Sequence, residues 1–169
     1  MREAYQNENI DLQNYVNLTL TKIAFGGVFD HVGGGFSRYS VDDKWHVPHF
    51  EKMLYDNAQL VSLYSDAYLI TKNPLYKEVV FETLEFVKRE LTNTNGTFYS
   101  SLDADSKTKT GELEEGAFYV WQVEDLKRLL AEDFYLFADY YNVNSYGLWE
   151  DNNYVLIRSD SDTVFAKKH

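Results

Sequence analysis

The sequence predicts a mainly α-helical fold of antiparallel helical hairpins with a small β-hairpin insert. Three observations carry that prediction. Apolar residues recur at three- and four-residue steps through much of the chain. Asn73-Pro74 stands between two such runs, a pairing that stops one helix and starts the next. In the second half, two short β-like stretches flank an acidic segment.

The first helix is expected over residues 10 to 25. Ile10, Leu12, Tyr15, Val16, Leu18, Leu20, Ile23 and Ala24 follow a loose helical period, and Gly26-Gly27 ends it. A glycine-rich loop follows, in which Gly33-Gly34-Gly35 permits positive φ and close backbone approach. Pro48 suits a first helical position, so a second helix is expected from there, carrying Phe50, Met53, Leu54, Asn57, Ala58, Val61, Tyr64, Ala67 and Tyr68. Leu75, Val79, Val80, Leu84, Phe86, Val87 and Leu91 mark a third, stopped by Asn95-Gly96. The link at Asn73 is so short that the two helices must run antiparallel. Phe50, Leu54, Ala58, Val61, Val80, Leu84 and Val87 are expected to be buried between them. Residues 97–102 and 117–121 are expected as strands joined by a long acidic loop. Helices follow at 123–130 and 134–141, and a last short strand at 154–157.

The bulk composition excludes several classes. The chain has 169 residues, enough for one domain with an ordinary core, and is 44% hydrophobic, too much for a disordered chain. Net charge is −11, which argues against nucleic acid and anionic membrane as partners, since both demand Lys and Arg. No apolar run approaches the length of a membrane span, and the start is no signal peptide. There is no cysteine, so disulfides, thiolate metal sites and thiol catalysis are excluded within the chain. A cytoplasmic setting fits. Aromatics reach 17%, which means an aromatic core or a cleft that stacks flat ligands.

Four blocks resemble a known family. They are Gly26-Gly27-Val28-Phe29-Asp30-His31-Val32-Gly33-Gly34-Gly35-Phe36, with Arg38-Tyr39-Ser40; the long run from Trp45-His46-Val47-Pro48-His49-Phe50-Glu51-Lys52 through Met53-Leu54-Tyr55-Asp56-Asn57-Ala58-Gln59-Leu60; Phe98-Tyr99-Ser100-Ser101-Leu102-Asp103-Ala104-Asp105-Ser106; and Glu115-Gly116-Ala117-Phe118-Tyr119-Val120-Trp121. Together they resemble the spermatogenesis-associated-protein-20 or YyaL-type family. The resemblance implies a thioredoxin-like N-terminal domain followed by an α/α toroid similar to N-acylglucosamine 2-epimerases and six-hairpin glycosidases. On this reading residues 1–169 are a single partial toroid domain, without the thioredoxin-like part and without its redox role.

The candidate chemistry centres on the long block. From His49 on, steps of three, four and three would keep His49, Lys52, Asp56 and Gln59 on one helical face. His49 and Asp56 are the candidate acid–base pair, because imidazole titrates near neutrality and a carboxylate can be tuned by burial. Trp45, Lys52, Gln59, Asp103 and Asp105 are the candidate sugar contacts, with Phe98, Tyr99, Tyr119 and Trp121 as further stacking surfaces. The plainer account of the stripe is a hydrated helix face, and of Asp103 and Asp105 a braced loop. His46 and His49 are split by Pro48 and lack a third ligand. A calcium loop from Asp103 fails because Lys107 stands where an oxygen ligand belongs and Thr108 where glycine is needed. No metal and no cofactor are therefore expected. The triple glycine lacks the Lys-Ser/Thr pair of a phosphate loop.

The functional expectation is a carbohydrate-processing or carbohydrate-binding segment, by analogy with the epimerase and glycosidase toroids. Its partners would be a carbohydrate ligand and other copies of the chain through exposed toroid faces. The alternative is a non-catalytic scaffold or protein-binding module of a larger thioredoxin-domain protein.

Overall fold

A computed structural model describes residues 1–169. Helices account for about 48% of them, and strands occur only as three antiparallel pairs of two or three residues. The mainly α class holds. No helix is long and apolar enough to cross a membrane.

A short α1 (Arg2–Gln6) leads into α2 (Ile10–Phe25). Asn9 caps α2, its side chain accepting from the Leu12 amide at 3.0 Å, which pairs one of the amides that a helix start leaves free. The expected hairpin is α3 (Leu54–Thr71) and α4 (Pro74–Glu90). Lys72 ends α3 in the left-handed conformation, φ 57°. Asn73 then accepts from the Leu75 amide at 3.1 Å, with Pro74 at the first helical position. Both ends of the link are thus closed by local chemistry.

The main core joins α2, the glycine loop and the α3–α4 pair. It contains Leu20, Ala24, Val28, Phe29, Phe36, Tyr64, Ala67, Tyr76 and Val79. Tyrosines can sit there because their hydroxyls are paired: Tyr64 donates to the Leu20 carbonyl at 2.7 Å and Tyr76 to that of Asn17 at 3.1 Å. Asn57, fully buried, clamps Phe36, accepting from its amide at 2.7 Å and donating to its carbonyl at 3.0 Å.

The inward face of the hairpin is not the one expected. It carries Asn57, Tyr64 and Ala67 on α3 and Tyr76, Val79, Thr83 and Phe86 on α4. Leu84 is 46% exposed, Ala58 is exposed, and Leu54, Val61, Val80 and Val87 are only half-buried. Phe50 is buried, but in a smaller cluster with Val47, Ala104 and Val155. The rings of Tyr64, Tyr76 and Phe86 take the inward face, and the polar groups that go in with them are paired; Thr83, for one, donates to the Val79 carbonyl at 2.7 Å.

The helix expected from Pro48 starts only at Leu54. Pro48–His49 (β2) pairs with Tyr39–Ser40 (β1), and Lys52–Met53 (β3) pairs with Ser101–Leu102 (β4). Proline's fixed φ suits a short edge strand as well as a helix start, and here the strand partners decide, a nearby one for Pro48–His49 and a remote one for Lys52–Met53. The insert also differs. Its hairpin lies inside the acidic stretch, β5 (Asp105–Lys107) against β6 (Leu113–Glu115). Residues 116–119 turn, and Trp121 exchanges backbone hydrogen bonds of 3.0 and 2.8 Å with Tyr154. Only Tyr154 of the expected last strand is bridged. α5 (Val123–Leu130) and α6 (Phe134–Tyr140) stand where expected, and α7 (Asp162–Phe165) follows.

Candidate functional site

Beyond α2 the chain turns through Asp30. Its Oδ1 accepts from the amides of Val32 at 2.9 Å and Gly33 at 2.8 Å, the local pairing that suits aspartate to turns. The next two glycines lie against α4. A β-carbon on Gly35 would stand 2.3 Å from the Phe86 ring, and one on Gly34 2.5 Å from the Glu82 carbonyl oxygen. Their φ values, 74° and 79°, also demand glycine. Arg89, further along α4, donates to the Gly33 carbonyl at 2.5 Å.

Lys52 reaches into this loop from β3. Its ammonium donates to Asp30 Oδ2 at 2.7 Å and to the Gly34 carbonyl at 2.9 Å. The rings of Phe86 and Tyr119 lie 4.5 and 4.7 Å from Nζ. The side chain is 1% exposed. Drying an ammonium is costly, and here a carboxylate, a carbonyl and two ring faces offset the cost. Burial lowers the Lys52 pKa against the pull of Asp30. Burial also works against the Asp30 carboxylate, but Lys52 and the amides of Gly33 and Val32 hold its pKa below the ordinary aspartate value.

The pair lines an open cleft of about 400 Å³, within the size range of small-molecule sites. Phe86, Phe118, Tyr119 and Trp121 supply its aromatic surface, and Arg89 and Glu90 its remaining charges. Phe118 is 74% exposed. Tyr119 is stacked on Phe50 at 5.9 Å, so its outer surface is partly covered.

The other candidate residues fall elsewhere. His49 lies in β2, not on α3. Its Nδ1 is 2.7 Å from Glu115 Oε1, its Nε2 3.8 Å from Glu51, and its ring stacks on Tyr39 at 5.1 Å. Glu51 also pairs with Arg38 at 3.3 Å. Asp56 is in the first turn of α3 with Oδ2 buried and unpartnered. Burial raises its pKa, Glu51 adds to the rise and Arg38 opposes it. His49 and Asp56 therefore belong to one charged cluster with Arg38, Glu51 and Glu115. The continuous stripe from His49 to Gln59 does not form, because a helix that starts at Leu54 leaves His49 and Lys52 on separate strands.

Gln59 is exposed and its amide turns back to the Tyr55 carbonyl at 3.2 Å. Asp103 accepts from the Asp105 amide at 3.1 Å, and Asp105 sits opposite Glu115 in the hairpin. Trp45 lines a different hollow of about 470 Å³ with Arg38, Tyr39 and Asp43. Its φ is 61°, and Asp42 holds that turn by accepting from the amides of Lys44, His46 and Val47 at 2.7 to 3.1 Å. His46 is engaged with the Gly147 carbonyl at 3.1 Å. Of the candidate residues, then, the cleft gathers Lys52 with the rings of Tyr119 and Trp121; His49, Asp56 and Asp103 do not line it. Sequence reasoning passed over Asp30, Arg89, Phe118, Glu51 and Glu115. Asp30 had a usable signal, an aspartate three residues before a run of glycines.

The fold and the cleft define a mainly helical protein with an aromatic small-molecule-sized site founded on a buried ion pair. Spermatogenesis-associated protein 20 of Homo sapiens is 50% identical to the chain over 115 residues, 68% of this chain and 15% of that protein. The Mus musculus protein of the same name matches to the same extent. An uncharacterised protein of Caenorhabditis elegans is 40% identical over 140 residues, 76% of this chain and 19% of its own length. No protein-family model matches. The chain belongs to the spermatogenesis-associated protein 20 family over this shared segment, and it spans less than a fifth of the length of these curated relatives.

Proposed function

We propose that the chain supplies a carbohydrate-binding cleft to a larger helical protein of α/α-toroid type. One observation carries the proposal: the exposed ring of Phe118 and the half-buried ring of Trp121 meet hydrogen-bonding groups at Arg89 and Glu90 in a single cleft of about 400 Å³. A pyranose has the matching character, an apolar face and a rim of hydroxyls. Lys52 and Asp30 keep the glycine loop in place against α4. Binding is the function this arrangement supports best. If chemistry follows, the cluster of His49, Glu51, Asp56 and Glu115 is the group suited to proton transfer, since an imidazole there lies between two carboxylates.

The scaffold alternative has its own support. The chain exposes 10404 Å², whereas a compact monomer of this size exposes roughly 8,600 Å². Ile10, Tyr15 and Leu18 of α2 are among the exposed apolar residues, and surfaces of that kind are suited to contact with another protein or another copy.

Titration with mono- and disaccharides, followed by NMR, tests the binding reading. Shifts are expected at Arg89, Phe118 and Trp121, and Phe118→Ala should reduce them strongly. If no sugar moves these resonances, the scaffold reading replaces the carbohydrate one. Light scattering over a concentration series then asks whether the excess surface is used for self-association.

A further inference from the structure

We infer that the cleft selects uncharged sugars over acidic, phosphorylated or amino sugars. The inference rests on the carbohydrate reading of the same cleft and adds the charge class of its ligand. Two anionic and two cationic side chains line the cleft: Asp30, Glu90, Lys52 and Arg89. Each is already matched. Lys52 Nζ is 2.7 Å from Asp30 Oδ2, and Arg89 Nε is 2.7 Å from Glu90 Oε1. The remaining ionisable group, the Tyr119 phenol, is pushed up to about 12 by burial and stays neutral.

The hydrogen-bond inventory points the same way. An ammonium has three N–H donors, and Asp30 and Gly34 engage two of those on Lys52. Arg89 uses Nε for Glu90 and a terminal nitrogen for the Gly33 carbonyl. Asp30 Oδ1 already accepts from two amides and Oδ2 from Lys52. An incoming carboxylate or phosphate would meet no cation without a carboxylate already beside it, and an incoming ammonium no carboxylate without a cation already beside it. Either would have to break an existing pair or share its charge: opening the buried Lys52–Asp30 pair is costly, and the half-exposed Arg89–Glu90 pair, which opens at less cost, keeps a carboxylate and a guanidinium side by side at the same spot. A neutral hydroxyl donates and accepts at once. It can use the spare guanidinium hydrogens of Arg89 and the second oxygen of Glu90 without disturbing either pair. The net charge of −11 adds a general repulsion of anions.

The test uses the full chain and four probes: glucose, glucuronate, glucose 6-phosphate and glucosamine, with affinities from NMR shifts at Phe118 and Trp121. Glucose should bind at least about tenfold more tightly than the three charged probes, the scale on which an uncompensated charge is rejected. Its affinity should change less than about twofold between 0.01 and 0.3 M salt, because no net charge is matched. The second arm is Glu90→Gln, an exposed substitution that leaves the fold in place and releases Arg89. Glucuronate should then gain at least about fivefold, and lose that gain in high salt. Charged probes that bind the unmodified chain as tightly as glucose overturn this inference and leave the carbohydrate reading standing. So does a Glu90→Gln variant with no gain for glucuronate. Silence from all four probes overturns both.

Discussion

Between Leu20 and Leu91 the large rings mostly go inward: Phe36, Tyr64, Tyr76 and Phe86 are all buried, with Tyr39, Tyr55 and Phe81 the exposed exceptions. Beyond Leu91, Phe98, Tyr99, Phe118, Tyr135 and Tyr146 keep half or more of their area in water. The composition of the two stretches does not separate them. What separates them is that the first has helix faces to close on, α2 and the α3–α4 pair, and buried partners for every tyrosine hydroxyl in its core. The second has short helices and a hairpin, and buries little beyond Leu126, Phe134 and residues 155–157. The first stretch closes its rings into a core, and the second leaves much of its ring surface in water.

The largest effect should come from the joint between the two. Lys52→Ala leaves the Asp30 carboxylate buried without its cation and should destabilise by about 3 to 5 kcal/mol. Urea unfolding measures it, and a loss below about 1 kcal/mol would show that water relaxes the pair and that the first stretch is looser than described.

His31 lies at the same boundary, with its ring 5.6 Å from Phe29 and 5.5 Å from Tyr141 and Nε2 3.2 Å from the Phe25 carbonyl. Burial, with the Arg158 charge, lowers its pKa from 6.5 to about 4. The unfolded chain therefore binds the proton first. Stability from a neutral His31 is complete above pH 6.5 and is lost as pH falls towards 4, by up to about 3 kcal/mol. His31→Gln should flatten the stability profile over that window; an unchanged slope would remove His31 from the boundary.

Smaller effects sharpen the contrast between buried and displayed residues. Leu84→Ala should cost less than about 1 kcal/mol, because Leu84 is on the outer face of α4. A loss of about 2 to 5 kcal/mol, the range for a core leucine, would reverse the helix rotation described above. Phe118→Ala should change stability by less than about 0.5 kcal/mol while weakening sugar binding. A destabilisation well above that value would make Phe118 a core ring and remove it from the cleft.

What was legible in the sequence was local. Residues 10–25 and the Asn73-Pro74 link are specified by apolar period and caps within a few residues, and both form as expected. Pro48 failed as a helix start because it sits in a short hairpin, Tyr39 pairing with His49, and because Lys52 pairs with Leu102, a partner that no local window contains. That error carried the site with it, since the polar stripe assumed one continuous helix. Lys52, Tyr119 and Trp121 were still singled out, but as contacts on a surface. That Lys52 would be buried depends on Asp30, the glycine loop and Phe86 arriving at one point, which spacing alone does not reveal.

The Lys52 site also implies an order of events during synthesis. Asp30, Gly34, Lys52 and Phe86 leave the ribosome before Tyr119, which at about 5 to 20 residues per second lags by a few seconds. The stretches that separate Asp30, Lys52 and Phe86 are of moderate length, and the entropy of closing them grows only slowly with length. Lys52 can find Asp30 while water still reaches the ammonium from the side that Tyr119 later covers. The nascent chain can thus neutralise the Lys52 charge before drying it, so that the desolvation falls on a pair already made.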